Sequence, residues 1–235
     1  MRIFWRVNAV IAGTAMVASG VAGCTGSPPP THTALPSSRS AGSRTVLAPT
    51  PTSSLSAEAR LRSALLQASD LGPSFIDVTS AGGGSASVKV TGCPPLATSI
   101  NSPPGARRTL QESASFSDGP FGPFVEESLT ILPAAETGAD YAGMRAAIAS
   151  CHFLGFAGYG QTMMFKLTPV SFGPPGSSAV RMDADFHGVL VDRYLAIDRI
   201  GNVALVYIFY QFESRSPQLA NTFYVRAVGK ARRVL

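Results

Sequence analysis

Charge is scarce in this chain. Only 14% of its 235 residues are Asp, Glu, Lys or Arg, and 19 basic against 14 acidic side chains leave a net +5. Setting Arg2 and Arg6 aside as part of a leader leaves 17 basic residues against 14 acidic ones, a net +3 too small to favour nucleic acid as a partner. Histidine is scarcer still: of three, only His152 and His187 fall in the part that reads as folded. There is no Gly-x-Ser-x-Gly elbow, no His-Glu-x-x-His and no Ser-x-x-Lys followed by its partners, the arrangements that activate a nucleophile or seat a catalytic zinc. A hydrolase would have to build a triad around one of two histidines, so the expectation is no enzyme and no cofactor. After the leader no apolar run reaches the 18 or more residues needed to cross a bilayer, and the densest, Val203 to Tyr210, is strand-sized. Apolar residues, by contrast, make up 45% of the chain, ample for one ordinary core and too many for a disordered protein.

The N-terminus has its own character. Arg2 and Arg6 precede an apolar stretch that starts near Val7 and closes on Val21-Ala22-Gly23-Cys24. A basic start, a short apolar core, two small residues and then cysteine resemble a bacterial lipobox. The resemblance implies cleavage before Cys24, acylation of that residue, and a protein held at the outer face of the cytoplasmic membrane. Two or three acyl chains on one cysteine meet the requirement for stable anchoring. Three segments follow: a signal peptide over 1–23, a lipidated tether over 24–55, and one exported domain over 56–235. From Thr25 to Ser54 the residues are mostly Thr, Ser, Pro and Gly with no carboxylate. That composition buries too little surface to offset chain entropy, and O-glycosylated stalks share it. Cys93 and Cys151 then remain as an even pair in an oxidising compartment, where a disulfide is expected over two free buried thiols.

Hydrophobic periodicity gives the rest an order. Ser56 reads as the N-cap of a helix with Glu58 and Arg62 paired i,i+4, an apolar stripe of Leu61, Ala64, Leu65 and Ala68, and a stop at Leu71-Gly72-Pro73. Gly82-Gly83-Gly84 and Pro103-Pro104-Gly105 read as loop and turn; no Lys-Ser/Thr follows the glycines, so they are no phosphate cradle. Thr109–Phe116 and Phe124–Leu132 alternate as half-buried strands. Thr137 with Asp140 approximates a capping box for a helix to about His152, whose inward face carries Tyr141, Met144, Ile148 and Cys151. Gly155 and Gly158 release the chain into strands that start with Met163, Phe165 and Leu167. Ala179–Phe186, Val189–Ile200 and Val203–Phe212 form a meander turned by His187-Gly188 and Gly201-Asn202, and the last strand, apolar on both faces, belongs at the centre. A helix from about Ser216 buries Ala220, Phe223, Tyr224, Ala227, Val228 and Ala231. The expected class is α+β: an antiparallel sheet packed by helices in a single exported domain.

The order of cysteine, two strands, helix ending in cysteine, meander and terminal helix is similar to the extracellular sensor domain of mycobacterial PknH-type Ser/Thr kinases and related actinobacterial lipoproteins. The residues that carry the resemblance are Cys93, Cys151, Leu129-Thr130-Ile131-Leu132-Pro133-Ala134-Ala135 and the Gly201-Asn202-Val203 turn, within roughly Ala57 to Val234. It implies an antiparallel sheet with helices, a cleft for a ligand, and a sensing role in the envelope. This chain departs from the pattern by lacking a second disulfide in the late strands, for Tyr194 to Phe212 holds no cysteine. Expected partners are the membrane, through the lipid anchor, and a small-molecule, lipid or protein ligand, with an interaction protein lacking a small-molecule pocket as the alternative. Glu127 shares the apolar side of its strand and, with Tyr207 and Phe209, is a candidate for a ligand cleft, against the simpler reading of core packing. Asp183, Asp185 and His187 alternate on one strand face and could hold a divalent metal, but adjacent same-face residues splay, and a solvent face is the favoured reading.

Overall fold

The computed structural model describes residues 55–79, 89–101, 110–158 and 161–235. The leader with Cys24, the tether as far as Ser54, the Gly82-Gly83-Gly84 loop and the Pro103-Pro104-Gly105 turn lie outside the described residues. Within them the order is α1 (Ala57–Ala64), α2 (Ala68–Leu71), β1 (Ile76–Asp77), β2 (Lys89–Gly92), α3 (Pro94–Asn101), β3 (Gln111–Ser117), β4 (Phe124–Ile131), α4 (Ala134–Ser150), β5 (Phe153–Gly158), β6 (Gln161–Val170), β7 (Ser178–Phe186), β8 (Val189–Ile200), β9 (Val203–Phe212) and α5 (Pro217–Val234). All nine strands join one antiparallel sheet in the order β1-β3-β4-β9-β8-β7-β6-β5-β2. The class is therefore α+β, with strands dominating.

The sheet has a core on each face, because its central strand is apolar on both. Nine of the ten residues of β9 are buried. Leu205, Tyr207 and Phe209 join α1 and α5 in one core, while Val206, Ile208 and Tyr210 join α3 and α4 in the other. The two-residue periodicity of a strand makes this division automatic. The meander expected from sequence is present with its turns at His187-Gly188 and Gly201-Asn202, and α5 buries the six residues its stripe predicts. Cys93, after β2, is bonded to Cys151, the C-cap of α4, with 5.6 Å between the two Cα atoms.

Three local expectations need correction. The first helix does not run through to Leu71: it ends at Ala64, and a separate turn of helix starts at Ala68. The cause is distant in sequence, since the backbone N–H of Leu66 donates to the buried carboxylate of Glu127 at 2.7 Å and leaves the helical ladder. Gln67 and Asp70 then cap the new turn reciprocally. Second, α4 starts at Ala134 rather than Thr137. Pro133 has φ −57° at the N-cap, and the Thr137 hydroxyl donates to the Pro133 carbonyl one turn back instead of capping the helix. Third, Gly155 and Gly158 belong to β5 and do not precede the strands. A Cβ on Gly155 would stand 2.5 Å from Thr91 Oγ1 and 2.8 Å from Met164 Sδ, so glycine here serves the close approach of neighbouring side chains. Pro94-Pro95 opens α3, where missing N–H groups cost nothing in a first turn.

Candidate functional site

A folded sheet buries few charges, so the ones it does bury mark places with a task. Adjacent positions of β4 send Glu126 and Glu127 to opposite faces. Glu127, only 2% exposed, enters the core beneath α5, opposite Tyr207 of β9. Its Oε2 accepts the Leu66 N–H, while Oε1 has no hydrogen-bond partner among the described residues. Burial pushes its carboxyl up to about 7, against the pull of the Leu66 N–H and of Lys230. Tyr207 donates its hydroxyl to the Ala220 carbonyl at 3.2 Å, and Phe209 packs against Phe223 and Tyr194. The structure thus places the three cleft candidates, Glu127, Tyr207 and Phe209, inside a closed core and not on an open wall. Tyr207 and Phe209 are fully buried.

The opposite face has a more accessible constellation. Glu126, its carboxyl raised by burial, sits with Arg193 and the Tyr210 hydroxyl. The Arg193 guanidinium lies 5.0 Å from the ring centre of Tyr210, 5.7 Å from that of Phe156 and 6.0 Å from that of Phe165. Such cation–ring contacts strengthen where water is displaced. Phe124 stacks on Tyr210 with centroids 4.7 Å apart, and Phe212 meets both rings edge-on. Half-buried Phe124, Phe156, Phe186, Phe212 and Met163 border this end of the core. Aromatic walls with one cation and one carboxyl can grip an apolar body by its surface and a polar head by charge. Between α4 and the sheet, Leu132, Thr137, Tyr141, Ile197, Asp198 and Arg199 line a cavity of about 10 Å³. That is space for about one water molecule.

The Asp183, Asp185 and His187 series does not converge. Asp183 is held by Arg181 at 2.8 Å, whereas Asp185 accepts the Gly188 N–H and so closes the turn. His187 occupies that turn with φ 56° and its ring against Phe186. Among the described residues no group of three or more His, Cys, Asp or Glu side chains is arranged to hold a metal. Asp183 instead faces Asp192 across the β7–β8 ladder. Asp192 is fully buried, and its carboxyl is pushed up to about 6 by burial and by Asp183. Sequence reasoning passes over Asp192 and Arg193, and takes Glu126 only as lying on the opposite face from Glu127, too far apart in direction for a catalytic pair. The available signal is a charged residue inside a long apolar strand, as in Val191-Asp192-Arg193-Tyr194-Leu195.

No family model matches the chain, and neither does any curated protein. Among solved structures, the extracellular domain of PknH from Mycobacterium tuberculosis is similar with a TM-score of 0.59 and 16% identity, over 76% of this chain and 97% of that one. The human StarD13 (DLC2) lipid transfer and protein localization domain gives a TM-score of 0.25 at 9% identity, over 53% and 83% of the two chains. Protein CV1439 from Chromobacterium violaceum gives 0.20 at 12%, over 60% and 81%. Those two scores carry no argument. With the PknH extracellular domain this chain shares a fold: a large antiparallel sheet dressed with a few helices.

Proposed function

We propose that this chain is a lipid-anchored, non-catalytic sensor or ligand-binding domain of the cell envelope, of the kind found in actinobacterial lipoproteins. Cys24 carries the anchor, 24–55 is the tether, and 56–235 is the working domain at the outer face of the cytoplasmic membrane. The observation that supports this most is the fold shared with nearly the whole of an extracellular domain. The end of the α4-side core is the part best suited to hold a small or lipid-like molecule, with Arg193 and Glu126 for its polar head and Phe124, Phe156 and Phe212 for its apolar part. A second reading, a protein-interaction lipoprotein without a small-molecule ligand, draws support from the cavity beside α4, which is too small for an organic ligand.

Two measurements test this. Cys24→Ser moves the protein from the membrane fraction to the medium; retention at the membrane places the anchor elsewhere. Native mass spectrometry on protein extracted from its own envelope finds a copurified small molecule on the wild type, and Arg193→Ala loses it. Ligand-free wild type together with a protein recovered by crosslinking favours the second reading.

A further inference from the structure

At one end of the α5 side of the sheet, a row of polar residues crosses the strands where the helix no longer covers them. Lys166, Asp183, Asp192 and Gln211 are successive cross-strand partners on β6, β7, β8 and β9. Asp192 and Tyr194, both fully buried, are two residues apart on β8 and share a face. Among the described residues both carboxylate oxygens of Asp192, Oδ1 of Asp183 and the Tyr194 hydroxyl lack a hydrogen-bond partner. The Asp192 carboxylate lies close enough to the Tyr194 hydroxyl and to Asp183 to interact with both, so these oxygens face one another, and none of the four has a well-formed hydrogen bond; native structures satisfy such buried groups. The neighbouring cations do not satisfy them. Arg181 donates to Asp183 Oδ2 and leaves Oδ1 alone. Arg215, half exposed on the turn before α5, reaches no nearer than 3.6 Å to Asp183 Oδ1 and 4.0 Å to Asp192 Oδ1, both beyond hydrogen-bonding distance. Gln211 adds a neutral amide, oriented by its Nε2 donating to Ser216 Oγ at 3.1 Å.

We propose that Asp192, Asp183 Oδ1 and the Tyr194 hydroxyl, with the Gln211 amide oxygen, form a binding site for a divalent cation of the calcium class, over which Arg215 is a displaceable stand-in. Carboxylate, amide and hydroxyl oxygens without imidazole or thiolate select a hard cation over zinc or copper. Fully buried Asp192 and Tyr194 leave no surface for an organic ligand, and an ion is the smallest species that these oxygens could hold. Two carboxylates offset by the retained Arg181 give a weakly charged cage. That corresponds to the affinity class of extracellular calcium modules, about 0.1–1 mM. Arg215 and the ion exclude one another, since both seek the same two oxygens. Occupancy would tie β7 to β8 at the point where β9 turns into α5.

The test uses the full-length chain in detergent after removal of divalent ions by chelation. Calcium chloride is titrated against thermal unfolding, with sodium chloride matched for ionic strength. Calcium raises the melting temperature of the wild type, Asp192→Asn abolishes the rise, and Arg215→Ala moves its midpoint about tenfold lower because a competing charge is gone. Terbium replaces calcium in a second readout that does not depend on stability. Excitation of tyrosine gives terbium emission in the wild type, and Tyr194→Phe removes most of it without disturbing the core shape. No calcium response in either the wild type or Arg215→Ala overturns the proposal, and the two carboxyls then share a proton instead. A response that survives in Asp192→Asn, or emission that survives in Tyr194→Phe, puts the ion elsewhere and overturns it as well.

Discussion

Reducing the Cys93–Cys151 bond should lower stability by about 4 kcal/mol. The cysteines stand 58 positions apart, and on the chain-entropy account closing a loop of that size restricts the unfolded chain by that amount. For a domain of this size the melting temperature should fall on the order of 10 °C. The loss concentrates where the bond acts. Cys93 joins β2, a four-residue strand at the margin of the sheet, to α3; Cys151 is the C-cap of α4. With the bond gone, β2 and α3 are the elements with least else to hold them. Thermal unfolding with and without reductant, on the wild type and on Cys93→Ser and Cys151→Ser, checks this. Reductant brings the wild type down to the variants and leaves the variants unchanged. A wild type indifferent to reductant shows that the bond does not form. Hydrogen exchange in reductant shows residues 89–101 losing protection before β7, β8 and β9.

The second large effect belongs to Glu127. Its carboxyl is raised from 4.5 to about 7 because ionising it beneath α5 is costly. A raised value in the folded chain means that the fold binds this proton more tightly than the unfolded chain does. Its stabilising contribution is therefore complete below about pH 4.5 and is lost as pH climbs through about 7. The whole change amounts to about 3 kcal/mol, since each tenfold gain in proton affinity is worth about 1.4 kcal/mol. Asp192, raised to about 6, acts in the same direction. Asp70, lowered by Lys230 and the Gln67 N–H, acts in the opposite one and only at acid pH. Glu127→Gln keeps an oxygen for the Leu66 N–H and removes the ionisation, so it should flatten the decline and make the protein more stable than wild type at pH 8. Denaturant unfolding at several pH values from 5 to 8 measures both slopes. Equal slopes in wild type and Glu127→Gln would show that Glu127 keeps an ordinary acidity in the fold.

Much of this architecture is legible in the sequence, and what is hidden has a common cause. From β7 to α5 the alternation of Arg181, Met182, Asp183 and Ala184, the turns at Gly188 and Gly201, and the stripe from Ala220 to Ala231 are local signals obeyed locally. The first helix reads too long because its break is imposed by a carboxylate 61 residues away, which no window around Leu66 contains. The strand β5 is hidden because Phe153-Leu154-Gly155-Phe156 lacks polar alternation and its glycine reads as a breaker, when that glycine is there for Thr91 and Met164. The candidate sites are hidden for a related reason. Strand phase tells that Glu126 and Glu127 part company, and that Asp183 and Asp185 share a face. It does not tell which face each helix covers, so Glu127 reads as a cleft residue and lies in a closed core, while Arg193 and Asp192 draw no notice.

The position of β9 bears on how the protein is made. Strands β3 and β4 pair with one another as soon as both exist, and β5 through β8 can zip in sequence, but the two groups have no ladder in common until β9 slides between β4 and β8. It is the last strand to leave the ribosome, and it is the greasiest. Until it arrives β4 keeps an open rail, so the nascent chain passes through a sticky, unfinished stage whose duration is set by the speed of synthesis.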